Sequence, residues 1–186
     1  MKNVILASAS PRRRELLTVA GVDFTVIVKD VDESVPEGTP PAEAAVMTAK
    51  KKALAVAAEH PESIVIGADT IVVIGGRILG KPADKADACA MLRLLSGREH
   101  KVITGVCLAN GGETNCFSKT SIVKFYELSD AEIEAYVNTL EPMDKAGSYG
   151  IQGKGCTLVE SISGDYFNIV GLPVASTVRA LNEMQK

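Results

Sequence analysis

The sequence predicts an α/β fold with an elongated mixed β-sheet flanked by helices. Three observations carry that expectation. Apolar runs of strand length, at residues 4–7, 64–74 and 101–109, alternate with segments of helical periodicity. The glycine pairs Gly75-Gly76 and Gly111-Gly112 join strand-like runs closely enough to demand antiparallel hairpins. Elsewhere, strands are separated by whole helices, the layout of crossover connections, so parallel and antiparallel pairing should share one sheet.

Each element follows from local chemistry. The first strand is expected at 4–7. Ser10 is a good N-cap and Pro11 suits the first helical position, so a helix should run from there to about residue 20 and stop at Gly21. Residues 24–28 read as a strand, and a proline-bearing loop with Asp32 and Glu33 leads to an alanine-rich helix over 42–59. The long strand 64–74 returns through Gly75-Gly76 onto 77–79. Ala88, Met91, Leu92 and Leu95 follow i, i+3, i+4, i+7 spacing, which predicts an amphipathic helix over 84–95. A hairpin of 101–109 with 114–125 follows. Ser129 and Glu132 form a capping box for a helix to about residue 139. The glycine-rich stretch EPMDKAGSYGIQGKG is irregular. A strand near 156–162 and a helix after Pro173 complete the chain.

With 186 residues, 46% of them hydrophobic, the chain can bury a core of its own, and a single domain over 1–186 is expected. A net charge of −3 provides no basic footprint for a nucleic-acid backbone, and the absence of tryptophan leaves few stacking platforms. Nucleic acid is therefore not an expected partner. No apolar run reaches the ~18 residues of a membrane helix, so no membrane association is expected either. The N-terminus lacks a signal-peptide layout, which makes the cytoplasm the expected location. Cys89, Cys107, Cys116 and Cys156 form no CxxC pair, and reduced, buried thiols are expected.

Asp69 is the most informative single residue. In SIVIGADTIVVIGG it places a carboxylate between two apolar arms that both read as buried strand. An unpartnered charge there would cost several kcal/mol or be forced to neutralise, so a cation or metal is expected beside it. The alternative is a bulge or turn aspartate bonded to backbone amides. Glu33 is a second loop carboxylate, and two carboxylates from separate segments suit a hard divalent cation that takes its other ligands from water and phosphate.

Ser8, Ser10 and the free amides opening the first helix form an anion site that arginines at 12–14 can clamp. Successive helical residues point about 100° apart, so Arg12, Arg13 and Arg14 cannot all face one ligand. Lys50, Lys51 and Lys52 are limited in the same way. The segment GGRILGKP imitates a phosphate-binding P-loop, but proline replaces the hydroxyl residue and a hairpin replaces the strand-loop-helix context. That leaves Lys81 as an isolated point charge able to touch phosphate. Gln152, among glycines, carries a paired donor and acceptor that can read a base edge.

Taken together, LASASPRRRELL, GADTIVV, GKP, LSGREHKVITGV, DKAGSYGIQGKG and GDYFNIVGLP resemble the Maf family of nucleoside triphosphate pyrophosphatases across nearly the whole chain. The resemblance implies an ITPase-like α/β fold with two lobes and a cleft between them. It implies attack of water on the α-phosphorus of a nucleotide, dependent on a divalent cation such as Mg2+ or Mn2+. Asp69 matches the family's proton acceptor, and with Glu33 its metal site. Ser8, Arg13, Lys52 and Lys81 match phosphate-binding positions, and Arg12, Thr70 and Gln152 match positions linked with base choice. At SPRR, GADT and YGIQG the chain resembles the branch that hydrolyses dTTP and UTP. A homodimer is implied on the same ground. The alternative is a nucleotide-sensing protein that influences cell division with little hydrolysis.

Overall fold

The structure, a computed structural model, describes residues 2–186. Seven strands form one sheet: β1 (Val4–Leu6), β2 (Thr25–Val26), β3 (Ile64–Ile74), β4 (Arg77–Leu79), β5 (Glu99–Asn110), β6 (Glu113–Phe125) and β7 (Val159–Ser163). Their order is β2-β1-β3-β5-β6-β7, with β4 on β3. β1 runs parallel to β2 and β3, whereas β3–β4 and β6–β7 are antiparallel, so the sheet is mixed as expected. The helices are α1 (Pro11–Val19), α2 (Pro41–Ala57), α3 (Lys85–Leu95), α4 (Asp130–Val137), α5 (Tyr166–Val170) and α6 (Val174–Met184).

The chain forms two compact units. One comprises Met1–Thr70, Thr104–Lys119 and Gly171–Lys186, the other Ile71–Ile103 and Thr120–Val170. In the first unit, β1 carries the hydrogen bonding on both its edges, and the chain continues past it with Ala7 N donating to Ile66 O at 2.8 Å. Ala45, Ala49, Ala53 and Val56 of α2 are fully buried at helical spacing, and the last three pack on Ile5, Val65, Cys107 and Ala109. Two strand glycines set how closely this helix lies on the sheet. A Cβ at Gly67 would fall 2.2 Å from Ala49 O, and one at Gly105 would fall 2.4 Å from Ala45 O. Glycine in these strands serves close backbone approach.

In the second unit, α3 buries Ala88, Leu92 and Leu95 and packs against α4, whose Ser129–Glu132 capping box is formed. Gly75 (φ +56°) and Gly76 (φ +81°) make the tight turn between β3 and β4, the left-handed pair such a hairpin requires. That geometry rules out a P-loop at this position. His100, Phe125 and Tyr149 pack edge to face with centroids 4.7–5.3 Å apart, and His100 Nε2 is hydrogen-bonded to the Tyr149 hydroxyl at 2.7 Å.

Several boundaries differ from the sequence reading. β2 is confined to Thr25–Val26, because its partner β1 offers only Ile5 and Leu6 as register partners. The expected strand start near residue 156 is displaced, since Gly153–Leu158 forms a 3-10 turn and β7 begins at Val159. Glu141–Asp144 and Ala146–Ser148 are 3-10 turns as well. Only Cys107 of the four cysteines is buried; all four are free thiols, and Cys156 is exposed.

Candidate active site

The close seating of α2 on Gly67 carries a charge to Asp69. Ala49 and Ala53 face the sheet, so Lys52 projects along the flank of the same helix surface toward the part of β3 just beyond Gly67. Its Nζ lies 2.9 Å from Asp69 Oδ1 and 3.0 Å from Glu33 Oε1. The Lys52 and Asp69 side chains are 17% and 18% exposed and Glu33 is 58% exposed, which grades the cluster from protein interior to solvent. The cation expected beside Asp69 is thus present, and the position lies inside strand β3 rather than in a turn.

The other two lysines of the triplet separate cleanly. Lys50 is exposed. Lys51 Nζ donates to the backbone carbonyls of Asp32 (2.9 Å) and Ser34 (2.6 Å), the two residues flanking Glu33. The Asp32 carboxylate accepts from Ser34 N at 2.9 Å and Ser34 Oγ at 2.7 Å, and these bonds hold its pKa below the ordinary carboxylate value. The loop that presents Glu33 is therefore held from α2 and by its own turn.

Arg13 is the arginine that points inward. The Ser10 cap and Pro11 fix the start of α1, and the Arg13 side chain then donates through Nε to Gly171 O (2.8 Å), through one terminal nitrogen to Ser8 Oγ (3.0 Å) and through the other to Thr70 Oγ1 (3.1 Å). Thr70 Oγ1 is also 2.9 Å from Thr104 Oγ1, which is fully buried. Burial lowers the proton affinity of this guanidinium, Asp69 opposes that shift, and Arg12 adds to it. Arg12 is half-exposed and Arg14 is exposed with a long 3.5 Å approach to Ala9 O, so the triplet splits as helical geometry demands.

Ser8, Arg13, Glu33, Lys52, Asp69 and Thr70 accordingly belong to one unit. Lys81 and Gln152 belong to the other. Lys81 is exposed in the connection between β4 and α3, where Gly147 N donates to the adjacent Gly80 O at 3.0 Å. Gln152 is half-exposed and immediately precedes the 3-10 turn Gly153–Leu158. Its neighbours are tied to Glu141, whose carboxylate accepts from Lys154 N, Gly155 N and the Tyr136 hydroxyl.

Among the described residues, no group of three or more His, Cys, Asp or Glu side chains is placed to hold a metal ion. Glu33 and Asp69 nevertheless converge on one cationic nitrogen, and their oxygens are the donor type a hard divalent ion takes. Two carboxylates fit an ion that completes its shell with water and phosphate oxygens.

The sequence pattern of the Maf-like proteins matches residues 3–184. The chain belongs to the Maf-like family. Among its relatives, the dTTP/UTP pyrophosphatase of Bacillus cytotoxicus is 53% identical over 183 residues, covering 98% of this chain and 96% of that protein. The dTTP/UTP pyrophosphatase of Symbiobacterium thermophilum is 52% identical over 183 residues, covering 98% and 94%. Among solved structures, the Ham1 protein of Staphylococcus aureus superposes with a TM-score of 0.57 at 17% identity over 100% of both chains. The HAM1 protein of Coxiella burnetii gives 0.53 at 15% identity, covering 98% and 100%. These likenesses bear out the α/β mixed-sheet fold.

In this Maf-like chain, several contributors to the cluster escaped the sequence reading. Gly171 and Thr104 hold Arg13 and Thr70 from positions remote in sequence, and no local pattern points to them. Gly67 carried a usable signal, because a glycine inside an apolar strand marks close approach of another backbone. Lys51 and Lys50 are not distinguished in the sequence, and Lys51 stands out only because the Glu33 loop folds back on α2.

Proposed function

We propose that this Maf-like protein is a nucleoside triphosphate pyrophosphatase that converts dTTP and UTP to the monophosphate and pyrophosphate in the cytoplasm. The observation that carries the reading is the pairing of Asp69 with Lys52 in a cluster that also holds Glu33, beside an Arg13 guanidinium fixed by three protein oxygens. The names of the relatives described above support the same substrates.

In this reading, Asp69 accepts the proton of the attacking water as its oxygen bonds to the α-phosphorus. The bond from the α-phosphorus to the bridging oxygen breaks, and the electron pair leaves with pyrophosphate. Arg13, already oriented, and Lys52 offset the charge that grows on the phosphate oxygens. Ser8 contributes a buried hydroxyl beside Arg13, and Lys81 adds a point charge for the polyphosphate. Glu33 and Asp69 would hold the divalent cation, Mg2+ or Mn2+, which when bound supplies Lewis-acid polarisation and charge compensation. Arg12, Thr70 and Gln152 set base choice in this scheme, with Thr70 acting through its hydrogen bond to Arg13.

The test is pyrophosphate release from dTTP, UTP, 7-methyl-GTP and ATP with Mg2+ or Mn2+. Turnover of the two pyrimidine nucleotides well above the other two is expected. Binding of UTP with no monophosphate produced would overturn the enzymatic reading in favour of nucleotide sensing. We further propose a homodimer, which light scattering of the purified protein tests.

A further inference from the structure

We propose that Glu141 is the positioning residue of the segment that presents Gln152, a carboxylate clamp that fixes the chain on both sides of that side chain. The proposal rests on the reading of Gln152 as a base contact. Glu141 Oε1 accepts from the Tyr136 hydroxyl at 3.0 Å and from Gly155 N at 3.2 Å, and Oε2 accepts from Lys154 N at 3.0 Å. Tyr136 Oη in turn accepts from Gly150 N at 3.1 Å. Residues 150 and 154–155 are thereby held by one connected network, and Gln152 lies between them.

The glycines of this stretch are what let the carboxylate in. Gly153 adopts φ +70°, and a Cβ there would sit 2.9 Å from Glu141 Oε2. A Cβ at Gly155 would meet Gly150 O at 2.3 Å and Tyr136 Oη at 2.7 Å. The successive amides of Lys154 and Gly155 form the concave donor pair that favours an anion. Glu141 itself is held from behind, where Lys145 Nζ donates to its backbone carbonyl at 2.5 Å. Burial acts to raise the Glu141 pKa, but the Lys154 and Gly155 amides, the Tyr136 hydroxyl and Lys145 outweigh it and lower the value. The segment thus binds an internal anion with its own backbone, which makes a glycine-rich loop stiff at the residue that must hold one orientation.

The experiment compares Glu141→Gln, Tyr136→Phe and Gln152→Ala in the full chain with Mg2+, reading steady-state kinetics with UTP and dTTP and amide exchange of the Gly150–Gly155 segment. In Glu141→Gln an amide NH2 replaces one acceptor oxygen. Exchange at Lys154 and Gly155 should rise at least ~10-fold, and KM for UTP at least ~5-fold with kcat within about two-fold, matching the loss of one or two hydrogen bonds. Tyr136→Phe, which leaves the carboxylate in place, should loosen Gly150 and raise KM less. Gln152→Ala should reproduce the KM change with unaltered exchange. Unchanged exchange in Glu141→Gln, or faster exchange with wild-type KM while Gln152→Ala raises KM, overturns the clamp. Wild-type KM in both variants removes Gln152 as a base contact, and the positioning role with it.

Discussion

Lys52 Nζ stands 2.9 Å from Asp69 Oδ1, with each side chain more than four-fifths withdrawn from solvent at 17% and 18% exposure. An aspartate in the middle of an apolar strand is tolerated because a helix delivers an ammonium to it. Asp69→Asn keeps the shape and the hydrogen-bonding reach but removes the carboxylate proposed as proton acceptor. It should lower kcat for UTP by at least ~100-fold while UTP binding, measured by calorimetry, survives. Lys52→Met removes the partner cation and should lower kcat/KM by ~100-fold or more. Wild-type rates in either variant would take that residue out of the reaction.

Lys51 works at one remove from Glu33, through the carbonyls of Asp32 and Ser34. Lys51→Ala frees the loop without touching a carboxylate. The Mg2+ concentration for half-maximal rate should rise about 3- to 10-fold, the size expected for two exposed charge-assisted bonds, with kcat recovered at saturating Mg2+. A loss of kcat that Mg2+ does not restore would argue against a role confined to the loop.

Gly67 and Gly105 have no room for a methyl group. Gly67→Ala puts a carbon where Ala49 O and Ala53 N already stand, at 2.2 and 2.8 Å, and backbone cannot yield as a side-chain tip can. The variant should lose roughly 3 kcal/mol or more in urea unfolding, and activity should fall further than stability because α2 carries Lys52. Gly80→Ala, where a Cβ meets nothing, is the control that should leave stability unchanged.

His100 couples the second unit to pH. Burial lowers its pKa from the ordinary 6.5 to about 4, and its Nδ1 has no hydrogen-bond partner among the described residues. The unfolded chain therefore binds a proton between pH 6.5 and 4 that the folded chain refuses. Stability is complete above that window and is lost as pH falls through it, by roughly 3 kcal/mol in total. Denaturation at pH 7 and pH 4.5 should show most of this drop, about 2 kcal/mol, and His100→Gln, which keeps a partner for Tyr149, should flatten it.

The sequence was most legible where chemistry is local. The Ser10 and Pro11 start, the Ser129 and Glu132 box, the glycine turns and the apolar face of α3 all depend on residues a few positions apart. Asp69 stood out because a charge contradicts its surroundings. Arg13, by contrast, is one of three equal arginines on residue chemistry, and only the family resemblance marks it in the sequence; the contacts that hold it, Gly171 and Thr70, lie 158 and 57 positions away. No local pattern marks Glu141, because two of its partners are backbone amides, which every residue but proline carries. Residues 156–158 read as strand on composition, yet they lie in a 3-10 turn whose Lys154 and Gly155 amides bond the distant Glu141 carboxylate.

The Arg13–Gly171 bond has a consequence for biosynthesis. The guanidinium leaves the ribosome near the beginning of translation, while the carbonyl that orients it emerges only after residue 171 has been added. A nascent chain that already displays Ser8, Lys52 and Asp69 still lacks the carbonyl that seats Arg13 until almost all of these 186 residues have been joined.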